Sequence, residues 1–166
     1  MNNRADPAVI PGEWTVAALS SFLSNSSAAQ AAATSLRPGA EVAITFTDVA
    51  GDWRICRKDA AGLSLEPGKA TDPDFELRIP PGAVNSICSR HDLDVGDLGV
   101  TFFEHIVGRD PELKIQVTLH SGLVKLTSRG WLGLLARGGP KVVIWMTQRG
   151  LRGAGAVATA LGRLRR

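Results

Sequence analysis

Apolar and polar positions along the chain follow two different periods. Segment 13–24, EWTVAALSSFLS, places Trp14, Val16, Ala17, Leu19, Phe22 and Leu23 at helical spacing behind a Pro-Gly pair, which predicts a first helix. The Ala-rich SSAAQAAATSL, 26–36, extends that helix or forms a second one, and Arg37-Pro38-Gly39 stops it. From Glu41 the period becomes two. EVAITFTD sets Val42, Ile44 and Phe46 against Ala43, Thr45 and Thr47. After an Ala-Gly turn, DWRICRKD sets Trp53 and Ile55 against Arg54, Cys56 and Lys58, so the pair predicts a hairpin. GLSLE follows as a third strand and EPGKATDPD as a turn. FELRIP is a fourth strand, with Phe75, Leu77 and Ile79 facing away from Glu76 and Arg78. ELKIQVTLH, 112–120, alternates in the same way and predicts a fifth.

Because every long strand is amphipathic, the pattern predicts an α+β fold. Its sheet is mostly antiparallel and five-stranded, with one face wet and the other covered by helices; a parallel sheet buried on both faces would show near-continuous apolar strands. The covering helices are the first one, 81–91, 94–108 and 121–139. Asp94 caps the 94–108 helix, and Asp97 completes an arrangement like a capping box. In 121–139, Leu123, Val124, Trp131, Leu134 and Leu135 gather on one side, with Lys125, Arg129 and Arg137 on the other. That stripe suits a membrane interface or a lid on the sheet.

Segment 97–108, DLGVTFFEHIVG, asks more of its neighbours than the other helices do. Leu98, Val100, Phe102, Phe103, Ile106 and Val107 spread over an arc of roughly 200° at helical spacing, wider than the stripe of an ordinary surface helix. One flat sheet cannot cover that arc, so the surplus must meet another helix, a partner chain, a membrane or an apolar ligand.

The 166 residues, 44% of them hydrophobic, suit one packed domain. The expected organisation is a flexible N-terminus over 1–12, one domain over 13–146 and a basic Gly/Ala-rich tail over 147–166. Two cysteines, Cys56 and Cys88, form neither a disulfide framework nor a zinc-type pair, which points to free thiols and a reducing compartment. No signal-peptide h-region and no spanning run is present, so the expectation is a cytoplasmic protein, at most peripheral to membrane. The net charge of +3 is unevenly distributed: all 16 acidic residues lie within 1–119. A C-terminal third with basic residues and no acid fits an anionic membrane, an acidic partner or a solvated tail.

Catalytic signatures are sparse. The sequence has no G-x-S-x-G elbow, no phosphate-binding G-x-x-x-x-G-K-[ST] loop and no H-E-x-x-H pair. Gly153-Ala-Gly155-Ala-Val-Ala158 matches a dinucleotide fingerprint formally but precedes no βαβ unit. Cys88-x-x-His91-Asp92 lacks a fourth metal ligand, and Cys56 between Arg54 and Lys58 is an ordinary surface cysteine. His105 and His120 have no positioned nucleophile in the sequence and read as solvated. With no tyrosine and no recognised module, nucleic-acid binding is disfavoured. No catalytic residue, metal or cofactor is expected.

The order of elements resembles the sterol carrier protein type 2, or sterol-binding, domain family. The match runs from Glu41 to Gly139 with the leading helix at 13–36 in place, through ITFTDVAGDWRI, GLSLEPG, PDFELRI, LGVTFFEHI, LKIQVTL and a closing helix. Two features depart from the family pattern. Pro111 stands where members often carry a glycine before the last strand, and the glycine after it comes only at Gly122. The peroxisomal tripeptide of eukaryotic relatives has no counterpart in Leu164-Arg165-Arg166. The resemblance implies a non-catalytic pocket between helices and sheet for a fatty acyl chain, sterol, isoprenoid or phospholipid. Phe102, Phe103, Ile106 and Val107 would form one wall, and Leu123, Leu126, Trp131, Leu134 and Leu135 the other. Lys125, Arg129 and Arg137 are then the candidate membrane contacts. Two alternatives stand beside this reading: an accessory domain partnering enzymes that act on lipid or quinone intermediates, and a small hydrolase or transferase using His105 or His120.

Overall fold

The structure, a computed structural model, describes residues 11–58, 62–90 and 92–150. Most of the expected N-terminal segment, residues 151–166 with their glycine motif, and His91 lie outside them. In chain order the elements are α1 (Pro11–Asn25), α2 (Ser27–Ala33), β1 (Glu41–Phe46), β2 (Trp53–Lys58), β3 (Gly62–Pro67), β4 (Phe75–Ile79), α3 (Pro81–Cys88), α4 (Val95–Val107), β5 (Gln116–Leu119), α5 (Leu123–Ser128), α6 (Trp131–Arg137) and α7 (Gly139–Gln148). The sheet runs β3-β2-β1-β4-β5, antiparallel throughout except for the parallel β1–β4 pair. This is the α+β architecture that the alternating strands predict.

Register places the apolar half of each strand on one face. Val42 lies between Ile55 and Phe75, and Ile44 between Trp53 and Leu77, while Phe46 pairs with Ile79 and Leu77 with Val117. Over them pack Leu19, Phe22 and Leu23 of α1, Ala29 of α2, and Ala83, Val84 and Ile87 of α3. Burying this much aliphatic and aromatic surface is the main favourable term in the fold. The opposite face is a charge ladder, in which Arg54 bonds Glu41 at 3.3 Å and Glu66 at 3.0 Å, and Lys58 pairs with Glu66. Arg57 lies on the inner face opposite Leu63 and reaches the carbonyl of Ala33 at the C-terminus of α2, where a cation is favoured.

The structure departs from the expected elements at two places. The fifth strand is shorter: pairing begins at Gln116. The amide of Ile115 donates to the carbonyl of His105 in α4 at 3.0 Å, and its side chain is buried in the core. The single closing helix over 121–139 is also replaced by α5 and α6, broken at Gly130. Gly130 has φ +89°, and a Cβ there would sit 1.9 Å from the Ser35 carbonyl oxygen, so only glycine lets the chain pass this close. A further helix, α7, follows, built on the KVVIWM run.

What holds the broken helix pair down is Asp74, a fully buried carboxylate in the turn before β4. Its oxygens accept from Ser121 Oγ at 2.7 Å, Arg129 Nη1 at 2.9 Å, Trp131 Nε1 at 2.7 Å and the Glu41 amide at 3.4 Å. Its backbone exchanges further bonds with Glu41, His120 and Ser121. One residue thus fastens the start of β1, the end of β5 and the α5–α6 joint. Asp74→Ala would leave the Trp131 and Ser121 donors without their acceptor and take from Arg129 one of its two carboxylates, Asp72 remaining as the other. Urea unfolding is expected to show a loss of about 3–5 kcal/mol, the usual cost of removing one partner from a buried charge network.

Candidate functional site

Most of the wide apolar arc of α4 is covered from two sides, Val107 at its end staying exposed. Leu98, Phe102 and Ile106 pack on the sheet core. Phe103 points elsewhere, touching Phe102 edge-on at 6.2 Å and stacking on Trp145 of α7 at 5.7 Å with the rings 27° apart. The surplus surface therefore meets a second helix. Close approach of the two helices depends on glycines inside α4. A Cβ at Gly96 would lie 2.7 Å from the Gly138 carbonyl oxygen, and one at Gly99 would lie 3.0 Å from Val142 Cγ2. Glycine within a helix costs about 1 kcal/mol relative to alanine, so these two positions give up helix propensity for contact with α7.

The hold on α7 is otherwise light. Val142 and Trp145 are its buried side chains, and Lys141 bonds Asp94 at 2.7 Å and Asp97 at 2.8 Å on the solvent side. These bonds draw the Asp94 carboxyl below its usual range and the Lys141 ammonium above it, with the hydrogen bond between them the largest cause in each case. Asp94 caps α4 as expected by accepting from the Asp97 amide at 2.8 Å, whereas the Asp97 carboxylate serves Lys141. The Arg149 guanidinium lies 4.0 Å from the Trp145 ring centre. Trp145 Nε1 is buried and has no hydrogen-bond partner among the described residues.

The nine residues expected to line a pocket take several positions. Phe102, Ile106 and Trp131 lie against the core, with Trp131 edge-on to Phe75 at 4.9 Å. Leu126 is buried, and Leu134 and Leu135 are half-buried. Val107 and Leu123 are more than half exposed, Val107 in the last turn of α4 and Leu123 in the first turn of α5, so neither forms an inner wall in this structure. Of the expected membrane contacts, Arg137 is exposed. Lys125 instead bonds Asp72 at 2.5 Å, and Arg129 bonds both Asp72 at 2.8 Å and Asp74 at 2.9 Å. The Lys125 hydrogen bond is the main cause that lowers the Asp72 carboxyl from its ordinary range. Sequence reasoning missed Trp145, Gly96 and Gly99. The signals available were the six-residue KVVIWM run and two glycines three positions apart inside an otherwise strong helix.

Two depressions lie away from these residues. One of about 340 Å³ opens between α1 and α3, with Trp14, Ala18, Phe22 and Cys88 inside and Asn25 and Asn85 among its polar lining. The other, about 320 Å³, is bordered by Glu41, Cys56, Arg57, Asp72 and Arg129. None of the nine expected lining residues borders either.

The titratable groups are placed as follows. His105 is buried, with Nε2 3.0 Å from Ser86 Oγ, so α4 and α3 are cross-linked by this bond, and the histidine is not solvated as expected. His120 pairs with Glu76 at 3.1 Å on the surface. No three His, Cys, Asp or Glu side chains among the described residues gather as a metal site. No helix among them is long and apolar enough to cross a membrane.

No family model matches the chain, and no curated protein matches it significantly. Among solved structures it is similar to one titled "UbiJ-SCP2 Ubiquinone synthesis protein", at 14% identity over 84% of this chain and 98% of that one, with a TM-score of 0.42.

Burial lowers the His105 imidazole from its ordinary 6.5. The unfolded chain therefore binds a proton at a higher pH than the native chain does. Stability is expected to be full above about pH 6.5 and to fall as the pH drops below it. Urea midpoints measured from neutral pH downward should show this slope, and it should flatten in His105→Gln. Desolvation raises the Cys88 thiol to about 12. Iodoacetamide at mildly alkaline pH should accordingly label half-buried Cys56 in the native protein and leave Cys88 unmodified until unfolding, as read by peptide mass mapping.

Proposed function

We propose that this chain is a non-catalytic domain that binds an apolar molecule bearing an acceptor oxygen, of the fatty acyl, sterol, isoprenoid or phospholipid class, beneath α7. The observation that carries this reading is the seam between α4 and α7. Phe103 and Trp145 face one another there, while Trp145 keeps a buried N–H without an acceptor among the described residues. A buried donor left unpaired costs about 1–3 kcal/mol, and a carbonyl, hydroxyl or carboxyl oxygen entering the seam would satisfy it. The aromatic and aliphatic walls would take the hydrocarbon, each methylene buried contributing about 0.8 kcal/mol. The joint at Gly138–Gly139, with Gly139 at φ +60°, is a point about which α7 can lift.

Close interlocking of Val142 with Gly99 and Gly138 favours a second reading, an accessory domain for enzymes acting on lipid or quinone intermediates, in which the seam stays closed. One set of measurements separates the two. Native mass spectrometry and titration with a fluorescent fatty acid and a short-chain quinone are expected to show saturable binding. Trp145→Phe, which keeps the aromatic stack and removes the donor, should weaken it about two- to tenfold. Absence of both co-purified ligand and saturable binding overturns the carrier reading, and a stable complex with a lipid-metabolic enzyme would then support the accessory one.

A further inference from the structure

Two groups lie against the Trp145 ring. Phe103 of α4 stacks on it at 5.7 Å, and the guanidinium of Arg149, one turn further along the chain, lies 4.0 Å from the ring centre. A guanidinium stacked on an aromatic face keeps its N–H donors at the edge, free for a second partner. Among the described residues neither that guanidinium nor the buried indole N–H has a hydrogen-bond or ion-pair partner. The other cation of α7, Lys141, is taken by Asp94 and Asp97 near the opposite end of the helix. The seam between α4 and α7 thus holds two unengaged donors on one ring system, one of them charged.

This pair discriminates among polar headgroups. A sterol or isoprenoid hydroxyl would satisfy the indole N–H and leave the guanidinium without a counter-charge. A zwitterionic phospholipid headgroup would bring a second cation beside Arg149. A phosphate monoester carries about −1.5 to −2 at neutral pH, more than one guanidinium balances. A carboxylate carries a single negative charge on two oxygens, one for the indole N–H and one for a charge-assisted bond to the guanidinium. Trp145 is buried whereas Arg149 is exposed at the C-terminal end of α7, so such a headgroup would sit at the mouth of the seam with its hydrocarbon directed inward. Water and the guanidinium together then spare the carboxylate the cost of an isolated buried charge.

We infer that Arg149 sets the specificity of the seam and that its ligand is a carboxylate on a hydrocarbon chain, with one oxygen on Trp145 Nε1 and the other on the guanidinium. The assignment rests on the carrier reading and narrows it, since that reading asks only for an acceptor oxygen. Charge becomes the deciding feature. An uncharged ester of the same chain offers the indole an equivalent oxygen and gives Arg149 nothing to balance.

Calorimetric titration of the full chain with dodecanoate, methyl dodecanoate and dodecyl phosphate tests it. Dodecanoate is expected to bind about tenfold or more tightly than its methyl ester. R149Q should bring that ratio to about one, and R149K, which keeps the charge and loses the planar fork, should retain part of it. W145F should weaken acid and ester alike, because both present an oxygen to the indole N–H. Each ratio is read within one variant, so a change in stability, checked by urea denaturation, does not imitate a change in preference. Equal affinity for acid and ester, an R149Q ratio as high as the wild-type one, or tighter binding of dodecyl phosphate than of dodecanoate would each overturn the inference and leave the carrier reading standing. Binding of none of the three would overturn both.

Discussion

Removing the Asp74 carboxylate from water is tolerable only when several donors surround it, because an isolated buried charge costs many kcal/mol. Those donors come from Ser121, Arg129, Trp131 and the Glu41 amide, residues distant in sequence. Satisfying one carboxylate therefore sets where β5 ends, where α5 stops and where α6 starts. The same requirement breaks the closing segment. For Arg129 and Trp131 both to face Asp74 the chain must turn between them, and Gly130, in the left-handed region against the Ser35 carbonyl, makes that turn.

The position of α7 follows from that turn. With α6 fixed at Trp131, the chain leaves Gly138 above the N-terminal half of α4, where Gly96 and Gly99 leave room for it. The apolar arc of α4 is then divided between a sheet that is fastened at many points and a helix held by two buried side chains and the two exposed ion pairs of Lys141. Regions with few buried contacts open at lower free energy than the core does, so α7 is the part of this covering layer most able to move without unfolding the sheet.

Much of this was legible in the chain. Alternation fixed the strands because a slip of one residue would turn Val42, Ile44 and Phe46 to water, and the Asp94 cap was readable from its position before an apolar run. The closing region was not legible for a physical reason. Periodicity reads Leu123, Val124, Trp131, Leu134 and Leu135 as one stripe because it takes no account of long-range partners. It therefore could not see that Asp74 draws Arg129 inward or that Leu123 and Val124 stay exposed at 57% and 85%. Basic residues counted as a free patch were likewise partly neutralised by acids about fifty positions away. The 200° arc correctly demanded a second cover, but the sequence alone left open whether that was a ligand or a helix.

The proposed carrier function turns on one helix, and the opposing energies there are comparable. Lifting α7 from α4 would expose Trp145 and Val142, about 3–5 kcal/mol of apolar burial, less what an incoming hydrocarbon restores. A ligand can shift the helix only by as much as it prefers the lifted state. On this proposal an apolar cargo offsets the cost of opening, and its departure favours reclosure of Trp145 on Phe103. Such a device requires a helix apolar on its inner edge and weakly latched, which is what Val142, Trp145 and the Lys141 ion pairs provide.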